Sequence, residues 1–63
     1  MNKEQTVLYD MNAMAHDMMK MLAGLASGNT DREVNELLTN INTSLTALAR
    51  DTVLAFTAVA DKE

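Results

Sequence analysis

Apolar residues recur at intervals of three and four along two stretches of this chain, with a polar break between them. In the first stretch the positions are Leu8, Met11, Ala15, Met18, Leu22 and Leu25. In the second stretch they are Val34, Leu38, Ile41, Leu45, Leu48, Thr52, Ala55 and Val59. This spacing is typical of a helix that packs along one side. It predicts two amphipathic helices, over about residues 3–26 and about residues 31–60.

Capping signals mark the ends of both predicted helices. Asn2 is followed three residues later by Gln5, a pair that can form a capping box at the start of the first helix. The periodicity breaks around Gly28, which we expect to close that helix in the left-handed conformation. Thr30 and Glu33 form a second capping-box pattern, which predicts the start of the second helix.

The predicted turn covers about residues 27–30, and a connection this short forces the helices to run antiparallel. We therefore expect an all-α fold, an antiparallel helical hairpin that forms a single domain over residues 1–63. We expect the hydroxyl of Thr52, in the middle of the second stripe, to bond to the carbonyl four residues back.

The apolar stripes are wider than the contact between two helices requires. The first stripe is widened by Val7, Met14 and Met21. The second is widened by Leu37, Ala49 and Phe56. In a lone hairpin several of these side chains would face water, so we expect two hairpins to pair as a dimeric four-helix bundle. The expected core of that assembly consists of Leu8, Ala15, Leu22, Leu25, Val34, Leu38, Ile41, Leu45, Leu48, Phe56 and Val59.

Composition also favours self-association. A core built from 63 residues supplies only about 3–5 kcal/mol without a disulfide, a metal or a partner. The chain has no cysteine, which excludes disulfides and thiolate zinc sites. Association with a second copy is the remaining source of stability, and the lack of cysteine fits a reducing compartment, for which we expect the cytoplasm.

The net charge is -4, and the five basic residues are spread along the chain rather than clustered. Nucleic acid is therefore not an expected partner, because its phosphates would be repelled on balance. The first residues are polar, and no apolar run approaches the roughly 18 residues that a membrane span requires. Neither a signal peptide nor insertion into a membrane is expected.

Four methionines, Met11, Met14, Met18 and Met21, lie along one edge of the first stripe. Flexible thioethers can fill gaps in a core, and they also suit a surface that adapts to a protein partner. Both interpretations stay open. Binding of Cu(I) by the thioethers is a lesser alternative, since His16 points more than about 100° away from them around the helix.

Two further surfaces are candidates for binding a partner. A polar stripe on the first helix consists of Gln5, Tyr9, Asn12, His16 and Lys20. It is either a solvated face or a recognition surface with Tyr9 as its anchor and His16 as a pH-sensitive contact. On the second helix Leu54 lies opposite Leu45, and it is either a second contact surface or a single exposed leucine.

The sequence offers little for catalysis or for a cofactor. Ser27 and Ser44 have no base at a suitable spacing, and a nucleophilic cysteine is absent. Helix capping and solvation already explain Glu33 and Glu36. We expect neither an enzyme nor a cofactor-binding protein.

The favoured function is a small protein–protein interaction module, an adaptor, inhibitor or assembly regulator that acts through apolar helix faces. In length and helical-hairpin outline the chain also resembles the Rop family of plasmid copy-number proteins, dimeric four-helix bundles that bind RNA hairpins through the first helix. Lys3 and Met11 match that family, whereas Asp10 and Asp17 stand where basic and aromatic residues are expected. The resemblance implies the alternative function, a nucleic-acid-binding regulator. Small acidic helical proteins are also common among phage- and plasmid-encoded regulators that bind a host protein, an analogy of size and charge that fits the favoured function.

Overall fold

The fold is a hairpin of two long helices. The computed structural model describes residues 1–62, in which α1 covers Lys3–Gly28 and α2 covers Arg32–Lys62. The helices pack side by side in a rod of 49 × 14 × 11 Å. The prediction of an all-α helical hairpin is confirmed. Each helix extends two residues beyond its predicted end, and the turn shortens to residues 29–31.

The predicted capping box at the start of α1 is present. The side-chain oxygen Oδ1 of Asn2 accepts a hydrogen bond from the backbone N–H of Gln5 at 2.8 Å, and Oε1 of Gln5 accepts from the N–H of Asn2 at 3.1 Å. These two bonds satisfy backbone donors that the first turn of a helix leaves free. Gln5 is only 6% exposed, so its side chain both caps α1 and packs against α2.

The prediction that Gly28 closes α1 in the left-handed conformation is wrong. No residue in the described part of the chain has a positive φ. Gly28 is the last residue of α1, and Asn29 then leaves the helix with an extended backbone, φ -98° and ψ 126°. The N–H of Asn29 donates to the carbonyl of Ala26 at 3.3 Å. The chain leaves the helix at an asparagine, and a glycine is not required there.

The start of α2 is also capped differently from the prediction, by Asp31 and not by Thr30. Oδ1 of Asp31 accepts from the N–H of Val34 at 3.1 Å. Asn29 supports this cap from the turn, because its Oδ1 accepts from the N–H of Asp31 at 2.9 Å and its carbonyl accepts from Nδ2 of Asn35. An aspartate one residue nearer the helix places its carboxylate within reach of the free amides.

The contact between the helices, which we call the seam, contains both apolar and polar side chains. Its buried apolar residues are Ala15, Leu22, Leu45 and Ala49, and its buried polar residues are Gln5 and Thr52. Half-buried seam residues are Leu8, Asn12, Met19, Asn35, Leu38, Phe56 and Val59. Alanines at Ala15 and Ala49 let the two backbones approach closely.

The seam follows one edge of the predicted stripes and not their centre. Leu8, Ala15, Leu22, Leu38 and Leu45 lie in it as predicted. Other residues of the predicted stripes stay between 38% and 63% exposed, namely Met18, Leu25, Val34, Ile41 and Leu48. Each of these residues comes, in the sequence, directly before one of the positions that recur at intervals of three and four along the seam. The seam residues that follow them in sequence are smaller or more polar at Asn35 and Ala49, as Asn12 is beside Met11, whereas Met19 is the same residue as Met18.

A buried polar cluster fixes the register of the two helices. Nδ2 of Asn12 donates to the carbonyl of Ala49 and to Oγ1 of Thr52, both at 2.9 Å. The Thr52 hydroxyl donates to the carbonyl of Ala49, three residues back, also at 2.9 Å, so the predicted bond to the residue four back is wrong. Thr52 is 3% exposed. A shift of either helix would separate the Asn12 amide from its two acceptors on α2 and leave it without these bonds, which is costly.

The middle of α2 is rich in residues that are poor helix formers, yet the helix continues through it unbroken. Four hydroxyls in this segment each donate to the carbonyl four residues back, those of Thr39, Thr43, Ser44 and Thr46. Such bonds satisfy the side chains but add little to helix stability. Packing against α1 is what stabilises this part of α2.

Candidate interaction surface

The seam divides the surface of the hairpin into two sides. Tyr9 and Val53, which directly follow the seam residues Leu8 and Thr52, line one shallow groove with them. Nearer the turn, Ala23 and Thr39 line a second groove on the same side. Residues one position after a seam residue in the sequence therefore lie on this side of both helices. Residues one position before a seam residue lie on the opposite side.

We call this other side the apolar face. On α1 it consists of Val7, Met11, Met14, Met18, Met21 and Leu25, and on α2 of Val34, Leu37, Ile41 and Leu48. Nine of the ten are between 38% and 64% exposed, and Met11 is half-buried. The charged residues within the same stretch of α1, Asp10, Asp17 and Lys20, lie at other positions around the helix. On α2 the same side also carries Ser44 and Asp51, which directly precede the seam residues Leu45 and Thr52. The apolar face is therefore broad, with one hydroxyl and one carboxylate on its α2 edge.

The methionines of this face do not fill the core of the hairpin. Met14, Met18 and Met21 are 52%, 47% and 64% exposed, so the interpretation of them as core filler does not hold for the single chain. The methionine that does pack between the helices is Met19, whose sulfur accepts from Oγ1 of Thr46 at 3.7 Å. Met19 was not predicted to lie between the helices, although it follows Asn12 by seven residues, just as Asn12 follows Gln5.

The predicted partner-binding residues fall on three different surfaces. The four methionines lie on the apolar face, whereas Tyr9, 61% exposed, lies on the side with the grooves. His16 is exposed and follows the seam residue Ala15, so it belongs to the Tyr9 side. Leu54 is 60% exposed on the outer side of α2, as predicted. The structure does not bring these residues together in one site.

Two members of the predicted polar stripe are not on a solvated face. Gln5 is buried, and Asn12 is half-buried with its amide bonded across the seam. Gln5, Asn12 and Met19 are spaced seven residues apart, and this repeat is the signal that could have identified Gln5 and Asn12 as seam residues. It is hidden because polar side chains are uncommon in the contact between two helices, so the more apolar neighbours Met11 and Met18 fit the pattern better.

The charged side chains form few contacts, and these lie at the surface. Nε of Arg50 lies 3.0 Å from Oδ1 of Asp51, and this hydrogen bond, with the attraction of the carboxylate, raises the pKa of Arg50. Nε of Arg32 lies 3.6 Å from Oε1 of Glu36, one helical turn away. Exposed pairs of this kind stabilise a fold only slightly.

The chemistry of the remaining polar groups is local. The hydroxyls of Ser27 and Ser44 donate to backbone carbonyls of their own helices, those of Gly24 and Asn40. Within residues 1–62 no group of three or more His, Cys, Asp or Glu side chains is placed to hold a metal ion. Over the same residues, neither helix is long and apolar enough to cross a membrane.

Comparison with known proteins adds no further constraint on this arrangement. No family model matches the chain, and the searches of curated proteins and of solved structures gave no match. The apolar face is therefore the feature of this chain from which a function can be inferred.

Proposed function

We propose that this chain is a non-enzymatic protein–protein interaction module that binds through the apolar face. The observation that supports the proposal is the exposure of large apolar side chains from Val7 to Leu25 on α1 and from Val34 to Leu48 on α2, with Leu25 and Met21 at 63% and 64%. Single exposed apolar residues are ordinary, but a contiguous apolar surface on a small protein marks a contact site.

The hydrophobic stabilisation available at this face is large enough for specific binding. Burying a whole Leu, Ile, Val or Met side chain contributes about 1.5–3 kcal/mol. Because these ten side chains are about half exposed, covering them contributes on the order of 10 kcal/mol in total. Association itself costs roughly 4–15 kcal/mol, so a partner must cover most of the face and fit it closely to bind well.

The methionines add adaptability to this surface. Met14, Met18 and Met21 have unbranched, flexible side chains that can adjust to the shape of a partner. The β-branched residues on the α2 edge of the face, Val34 and Ile41, are stiffer. This combination favours helices or other apolar surfaces of proteins as the class of partner.

The alternative of a nucleic-acid-binding regulator has less support. Phosphate contacts need clustered basic side chains, but Lys3 and Lys20 are more than four turns apart on α1 and Arg32 and Arg50 each lie beside a carboxylate. Retention on an RNA column that falls steeply with added salt would favour this alternative. Binding of Cu(I) also has less support, because the four methionines lie in a row along one helix and His16 lies on another side.

The test of the proposed function is site-specific crosslinking in cells that express the chain. A photoactivatable diazirine amino acid replaces Leu48 on the apolar face or, as the matched control, Leu54 on the outer side of the same helix. We expect light to produce covalent adducts with protein from position 48 and few or none from position 54. The proposal fails if position 48 gives no protein adduct, or if both positions react equally.

A further inference from the structure

Both helices are patterned for a second layer of helices. A helix with one neighbour places its seam at the centre of its apolar stripe, whereas a helix in a four-helix bundle divides its stripe between two neighbours. In this hairpin the seam occupies one edge of the stripe in α1 and in α2, and the uncovered edge of each helix is the apolar face. The uncovered edges lie side by side, so one partner of matching width covers both.

We propose that the partner on this face is a second copy of the chain, so that two hairpins form a four-helix bundle. This inference rests on the proposed function, because it names the partner of the same surface. The carboxylate on the α2 edge of the face, Asp51, is already paired with Arg50 at 3.0 Å. The face therefore offers apolar area more than unpaired charge to a partner, and a second identical face is equally apolar. Two copies also repel little across it, since most of the charges that give the net -4 lie on other surfaces or at the ends, and Asp51 is paired with Arg50.

The dimensions of the face match what a stable dimer needs. The rod is 49 Å long and 14 Å wide, so its broad face covers on the order of 700 Å² before side chains are counted. Stable protein interfaces bury about 800 Å² on each partner. A second hairpin laid along this whole side of the rod, the alanine-rich end of α2 included, approaches this area, whereas a short peptide or a single helix leaves much of one edge exposed.

The weakness of the single hairpin argues for a partner that is always present. Its buried apolar side chains in the described residues are Ala15, Leu22, Leu45 and Ala49, two of which are alanines. Such a core does not offset the conformational entropy that two long helices lose on folding. A second copy is made together with the first and in equal amount, so folding and dimerisation occur together.

Sedimentation equilibrium of the purified full chain, with circular dichroism on the same samples, tests the inference. We expect a helical dimer at micromolar concentration. Leu48→Ala trims the apolar face and should weaken the dimer by about tenfold or more, because large-to-small changes in a packed interface are costly. Leu54→Ala is the matched control, the same change on the same helix, and should leave the dissociation constant within about twofold.

A second pair of variants adds charge. Leu48→Glu should abolish the dimer over the same concentration range, and Leu54→Glu should not. A helical monomer for the unaltered chain overturns the inference, and so does a dimer that responds to Leu54 and not to Leu48. A failure of the dimer can be distinguished from a failure of the proposed function. If only the dimer is wrong, position 48 still crosslinks in cells, but to proteins other than this chain.

Discussion

Asn12 is the residue at which the register of the hairpin can be tested most directly. Its side-chain amide donates to the Ala49 carbonyl and to the Thr52 hydroxyl, and both acceptors lie on the other helix. The same register brings the uncovered apolar edges of α1 and α2 to one side. We therefore expect Asn12→Ala to lower stability even though alanine is the better helix former.

The expected change in the free energy of unfolding is the difference between two opposing effects. Replacing asparagine by alanine inside a helix adds about 0.5 kcal/mol through helix propensity. Loss of the amide bonds costs about 1.5 kcal/mol, because the buried Thr52 hydroxyl oxygen loses its donor, while the Ala49 carbonyl keeps only the bonds from its own helix. The net effect is a free energy of unfolding lower by about 1 kcal/mol. Asn40→Ala is the matched control, because Asn40 is an exposed helical residue, and it should raise stability by about 0.5 kcal/mol.

The assay is urea denaturation followed by circular dichroism at one fixed protein concentration, since association with a partner shifts apparent stability. Thr52→Val completes a double-mutant cycle with Asn12→Ala, and we expect a coupling energy of about 0.5–1.5 kcal/mol. If Asn12→Ala stabilises the protein as much as Asn40→Ala does, the amide does not fix the register. Additive effects of Asn12 and Thr52 would lead to the same conclusion.

Three further predictions concern the ends and the middle of the helices. Asn2→Ala removes the cap of α1 and should lower the free energy of unfolding by about 0.5–2 kcal/mol in the same urea assay; no change would mean that the capping box is unimportant. Gly28→Ala should be neutral or stabilising by up to about 1 kcal/mol, because its φ is not positive and an added Cβ meets no atom within 4 Å. A loss of about 1 kcal/mol or more in thermal melts would instead support the left-handed cap. Dilution to nanomolar concentration should lower the helical circular dichroism signal, since residues 35–46 depend on packing; a signal that stays fully helical contradicts this.

The candidate surface is predictable from the sequence in its composition but not in its placement. The spacing of Met11, Met14, Met18 and Met21 is enough to identify an apolar edge of α1. The sequence does not show that this edge faces away from α2, because Met18 and Met19 are both apolar and differ only in which side of the helix they occupy. Nor does it separate Tyr9, on the groove side, from the methionines. Those assignments depend on where the second helix lies.

Local signals determined the hairpin itself. Helical periodicity, the Asn2 cap and the polar break at residues 27–31 act between residues within a few positions of each other, so the sequence shows them directly. Which edge of each stripe forms the seam was decided only by the tertiary structure. Asn12 lies in the seam because its amide bonds to Ala49 and Thr52 and because Ala15 and Ala49 permit close approach of the helices. These partners are 37 and 40 residues away along the chain. The sequence of each helix shows the spacing of its own residues, but it does not show which residue of the other helix each of them contacts.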